Sequence, residues 1–125
     1  MRRDEREARR LVAQRSGGRC ERCGRYGPTT MHHRVKRSHG GPWSLTNITA
    51  VCGSGTTGCH GWIESHPRLA REEGFALKSW EDPATVPVLL YRRFSTCFTP
   101  DEPSYTDQRL ANYELEDWHV EGDEH

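Results

Sequence analysis

An α+β domain stapled by bound metal is the fold the sequence predicts. Three observations predict it: four cysteines set in two turns, short β-branched runs between helical segments, and a lean apolar content. The chain has 125 residues, enough for one domain and too short for two ordinary ones. Hydrophobic residues make up 33%. With glycine added the figure is roughly 43%, below the usual ~45–50%. A small, lean core needs a staple. No apolar run approaches the ~20 residues of a membrane span. The charged opening Met1-Arg2-Arg3-Asp4-Glu5-Arg6-Glu7 does not read as a secretory signal. The expectation is a cytoplasmic chain, with no membrane partner and with thiols kept reduced.

The elements follow in order. Residues 4–16 read as a helix rich in Arg, Glu, Ala and Leu, stopped by Gly17-Gly18. A turn follows at Cys20–Gly24. Thr29–Met31 and Arg34–Lys36 read as short strands on either side of His32-His33. Ser38–Pro42 is loop chemistry, and Ile48–Val51 is a β-branched run. A helix starts near Cys59 and runs through Trp62 and Ile63. Pro67 opens a second helical stretch, which Gly74 ends. Phe75–Leu77 and Val86–Tyr91 suggest a C-terminal β-hairpin. The division is a domain over residues 1–99 with its core motif at 20–66, and an acidic tail over 100–125 with the composition of a disordered segment.

The net charge of zero hides a division. Residues 1–60 hold 12 Lys+Arg against 4 Asp+Glu, and residues 61–125 hold 6 against 14. The front half suits an anion such as nucleic acid. Arg34, Lys36 and Arg37 follow the paired histidines and are the candidate phosphate contacts. Nothing reads as a base-recognition helix, so low sequence specificity is expected.

Five cysteines need an account. Cys20-x2-Cys23 is a tight knuckle, and Cys52 and Cys59 form a looser pair. Together they suit a closed tetrahedral zinc site. Two disulfides, or inert buried thiols, are the alternatives. Cys97 is left over, as core or idle. A shared zinc would bring His32, His33 and His60 close together. Adjacent strand residues point to opposite faces, so His32 and His33 suit different jobs, one on a metal and one on a proton. His39, His119 and His125 read as ordinary surface or satisfied residues.

The ordered set Cys20-x2-Cys23, Met31-His32-His33-Arg34, Gly40-Gly41, Leu45-Thr46-Asn47-Ile48 and Cys52…Cys59-His60 resembles the HNH endonuclease pattern. The stretch from Cys52 to Trp62 is similar to HNH proteins of actinobacterial phages. The resemblance implies a ββα-metal fold, a hairpin and a helix clamping one catalytic ion beside a four-cysteine zinc site. By that resemblance His32 and His60 are ligands of the catalytic ion and His33 is the general base. Asn47 ties the hairpin loop and orients that base. The second cysteine pair departs from the usual spacing, with six residues between the thiols. Where some members carry a further ligand histidine, this chain has Glu64, with His66 two residues on.

Phosphodiester hydrolysis needs a deprotonated water and a cation for the developing oxyanion. One divalent ion held by two imidazoles leaves sites open for both, and a neutral imidazole can take the water's proton. The function expected is therefore a metal-dependent DNA endonuclease using structural Zn2+ and one catalytic Mg2+, Mn2+, Ni2+ or Zn2+. By analogy with phage relatives its setting is DNA processing beside a packaging terminase in the host cytoplasm. The competing class is a zinc-stapled nucleic-acid-binding module without catalysis.

Overall fold

The computed structural model describes residues 4–105 and a short strand at 109–110. Most of the acidic tail expected over 100–125 lies outside the described residues. Helix α1 spans Glu5–Ser16. The Asp4 carboxylate caps it by accepting from the Glu7 amide at 2.8 Å, and Gly17 closes it in the left-handed region at φ 65°. Strand β1 (Thr29–His33) pairs antiparallel with β2 (Ile48–Cys52), with His32 opposite Thr49 and His33 opposite Ile48. Helices α2 (Gly58–Ser65) and α3 (Pro67–Glu73) follow. Strands β3 (Val88–Leu90), β4 (Phe94–Thr96) and β5 (Arg109–Leu110) form a second antiparallel sheet. Among the described residues, no helix is long and apolar enough to cross a membrane.

Strand β2 is the spine. Its residues Ile48 to Val51 are all buried, and strand alternation divides them between two apolar clusters. Ile48 and Ala50 join Val12 of α1 and Leu45, with Met31 packed alongside. Val51 joins Cys20, Cys59, Ile63, Phe75, Val88 and Phe98. The same alternation sorts β1. Thr30 and His32 share the face turned toward α2, while Met31 and His33 share the face turned toward α1.

Two expected strands do not form. After His33 the chain turns away from its partner. The Arg34 amide still donates to Asn47 O at 2.8 Å, but the Val35 amide donates to Asn47 Oδ1 at 2.8 Å, so a side chain replaces the ladder. Phe75–Leu77 is also not a strand. The Phe75 amide donates to Ala70 O, finishing α3, and the Leu77 amide donates to Arg34 O. With those donors spent, β3 takes Phe94–Thr96 as its partner instead.

The loop between β1 and β2 is drawn tight. Asn47 Nδ2 donates to Val35 O and to Pro42 O, each at 3.1 Å. Gly41 passes so close that a Cβ there would sit 1.8 Å from Val35 O. That contact excludes any side chain.

Candidate functional site

The two turns that carry cysteines converge. The sulfurs of Cys20, Cys23, Cys52 and Cys59 all lie within 4.8 Å of one another, and no cysteine is in a disulfide. Cys23 Sγ and Cys52 Sγ are 3.9 Å apart, close to the ~3.8 Å edge of a tetrahedron with zinc–sulfur bonds of about 2.3 Å. N–H groups already point at the sulfurs: Arg22 N and Cys23 N at Cys20 Sγ (3.4 and 3.3 Å), and Cys59 N at Cys52 Sγ (3.4 Å). Such donors favour thiolates. Hydrogen bonds from Cys20 and Cys59 push the Cys23 thiol down to about 3, while Cys20 and Cys23 push Cys59 up. The four cannot all ionise together without a cation among them. The cluster is thus compatible with zinc. Cys97 stands outside it.

Arg22 braces this cluster. Its guanidinium donates to Cys59 Sγ at 3.4 Å, pairs with Glu73 of α3 at 2.8 Å, and lies 3.6 Å from the Trp62 ring centroid. The neighbouring Glu21 is fully buried. It takes two bonds from Arg15 of α1 (2.7 and 2.9 Å), one from the Ala50 amide and one from the Tyr105 hydroxyl. Buried charges are tolerated only when paired in this way. Neither Glu21 nor the two arginines carry a motif signal. The one oddity legible beforehand is an acid inside the cysteine knuckle of a basic half-chain.

On the α2 face of β1, one ligand atom each from His32, His60 and Glu64 lie within 4.8 Å of one another. The His32 and His60 ring centroids are 5.4 Å apart at 74°, and His32 Nδ1 is 3.7 Å from Glu64 Oε2. Glu64 follows His60 by four residues, one helical turn, so both share a face of α2. His66 has passed the end of that helix. It stacks on Trp62 and its Nδ1 lies 3.0 Å from Trp62 O, so Glu64, not His66, joins the histidines.

Hydrogen bonds set both ring tautomers. His32 Nε2 lies 2.6 Å from the Phe75 carbonyl. A carbonyl only accepts, so Nε2 carries the proton and Nδ1 offers its lone pair to the cluster. The Thr30 hydroxyl donates to Gly53 O at 2.9 Å and lies 2.7 Å from His60 Nδ1. With its one proton so spent, the hydroxyl accepts from Nδ1–H, leaving His60 Nε2 as the free donor atom. This is the outer-shell pattern of metal-binding histidines. Burial pushes His32 down to about 4 and also lowers His60, against the pull of Glu64. Both rings are therefore neutral near pH 7, as ligands must be.

His33 faces the other way. Its ring meets Trp43 edge-on at 4.6 Å, and its Nε2 is buried without a hydrogen-bond partner. Burial, then Arg37 and Arg9, lower its pKa. The strand separates it from the His32, His60 and Glu64 group, yet it lines the same cleft of about 370 Å³ as His32 and Glu64. Asn47 ties the loop through Val35 and Pro42 and is wholly buried.

Of the expected phosphate contacts, Lys36 and Arg37 are exposed. Arg34 is not one: only 1% of its surface is accessible. Its guanidinium donates to the carbonyls of Gly74, Thr46, Pro83 and Val86 at 2.7–2.9 Å. Burial lowers it to about 10, so it remains cationic while holding backbone rather than substrate.

Residues 20–61 match the model of the HNH endonuclease family. That segment carries both cysteine pairs, His32, His33, Asn47 and His60, and stops short of Glu64. HNH nucleases act on DNA with divalent metals. No curated protein and no solved structure matches the chain.

Proposed function

We propose that the chain is a metal-dependent HNH endonuclease that hydrolyses DNA phosphodiester bonds. The observation that carries the reading is the convergence of His32, His60 and Glu64, with both imidazole tautomers set by neighbours and with the two histidines inside the segment that matches the HNH model. Strands β1 and β2 with helix α2 are read as the ββα-metal core, and the four thiols as its zinc staple. His32 Nδ1, His60 Nε2 and one Glu64 oxygen would hold one divalent ion: Mg2+, Mn2+, Ni2+ or Zn2+. When bound, that ion supplies a Lewis acid for the phosphate oxygens and help for the leaving 3′ oxygen.

The chain's own groups do the rest. His33 accepts the proton of the attacking water as its oxygen bonds to phosphorus and the bond to the 3′ oxygen breaks. Asn47 holds the loop that follows His33 and so keeps the end of β1 in place. Lys36 and Arg37 contact phosphates, which gives affinity with little sequence information. Work on phage DNA beside a packaging terminase is the setting that the resemblance suggests.

The test is conversion of supercoiled plasmid to nicked and linear forms with each of the four metals. The expected result is metal-dependent cleavage that falls at least ~100-fold in His33→Ala, with zinc content and fold unchanged. No cleavage by the unaltered chain with any metal would contradict the reading, and full activity in His33→Ala would remove His33 from its role.

A further inference from the structure

Beyond α3, and outside the family match, the chain leaves one large aromatic in water. Trp80 is 79% exposed, although burying a side chain of that size is worth several kcal/mol. It is not a loose end. The Lys78 amide donates to Glu81 Oε1 at 2.7 Å, the Glu81 amide returns to Lys78 O at 3.0 Å, and Arg71 holds the same carboxylate oxygen at 3.0 Å. Arg34 anchors the rest of the segment through Gly74, Pro83 and Val86. The indole is thus presented at the tip of a pinned turn. It lines the same cleft as His32 and Glu64, together with Lys36, His39 and Lys78.

Two features say what fits there. The aromatic is single: the other large exposed hydrophobics among the described residues are Tyr26 and Leu69, and neither lines this cleft. One flat ring is too little for a protein interface, which needs a contiguous apolar patch. It matches one base. The exposed lysines on the rim supply cations for the backbone on either side. An indole beside lysines is the combination that holds single strands, because every base has a face to stack and every link a charge. A base within an intact duplex is already stacked on its neighbours and offers no free face.

We propose that Trp80, with Lys36 and Lys78, forms a subsite for an unpaired base of single-stranded or locally opened DNA, seating the adjoining phosphodiester against His32, His60 and Glu64. This rests on the nuclease reading for its purpose but not for its measurement. Binding of fluorescein-labelled dT12 and of a 12-base-pair duplex is measured by anisotropy without added divalent metal, in the zinc-loaded protein and in Trp80→Ala. The expected result is tighter binding of dT12, weakened about tenfold by Trp80→Ala, with duplex binding changed less than twofold. Lys78→Ala should lower the salt dependence of dT12 binding by about one phosphate contact. Equal loss for both ligands, or no loss for dT12, overturns the proposal. Trp80-dependent dT12 binding in a chain that cuts nothing would sink the nuclease reading and leave the subsite standing. Cleavage with unchanged dT12 binding in Trp80→Ala would do the reverse.

Discussion

Thr30 and Glu64 are the residues on which the candidate ion site turns. Thr30 fixes which nitrogen of His60 is free, and Glu64 supplies the only carboxylate near both rings among the described residues. Thr30→Val keeps the shape and removes the acceptor. It should weaken divalent-metal binding by about tenfold, as outer-shell changes do, and Glu64→Gln should weaken it at least as much. Isothermal titration into zinc-loaded protein measures both. Arg34 belongs to a different class. Arg34→Met would leave four carbonyls, two buried and two part-buried, short of a charged donor, at a cost of roughly 3 kcal/mol or more. Denaturant unfolding should show that loss.

At the scale of elements, much was legible because local chemistry decides it. Asp4 and Gly17 bound α1, and Pro67 and Gly74 bound α3, where the residue types demanded it. The cysteine spacing, and His32 with His60, picked out side chains that do converge, whereas His33, expected beside them, lies on the opposite face of β1. Other features depend on partners remote in sequence. The turn between β3 and β4 is made by Tyr91, Arg92 and Arg93, the first two at positive φ, without the glycine that usually announces such a turn. Tyr91 is held there by its amide N–H, which donates to Glu21 O, and by the Arg19 guanidinium 3.9 Å from its ring. Hence Phe94–Thr96 gave no hairpin signal. Arg34 looked like a phosphate ligand because sequence shows a charge, not the four carbonyls around it. The β1–β2 loop offers a sharp check on its packing. Gly41→Ala must displace backbone at Val35 and disturb Asn47. It should cost several kcal/mol, on the scale of severe core overpacking, and thermal unfolding would register it.

At the scale of the molecule, the apolar interior of the described residues is split into two clusters joined through β2, and Arg15, Arg22 and Arg34 of the basic half point inward. Such an interior leans on the sulfur cluster. Structural zinc contributes roughly 10–16 kcal/mol in small peptides, against a whole-domain stability of about 5–15 kcal/mol. A strong chelator should therefore unfold the protein, with loss of near-ultraviolet circular dichroism, and added zinc should restore it. Two ions with separate duties lie at the centre of this picture. Native mass spectrometry of protein loaded with Zn2+ counts them directly. Two bound ions are expected in the unaltered chain and one in a His60→Ala, Glu64→Gln double variant that stays folded. A single ion in both, or none on the four thiols, would contradict it.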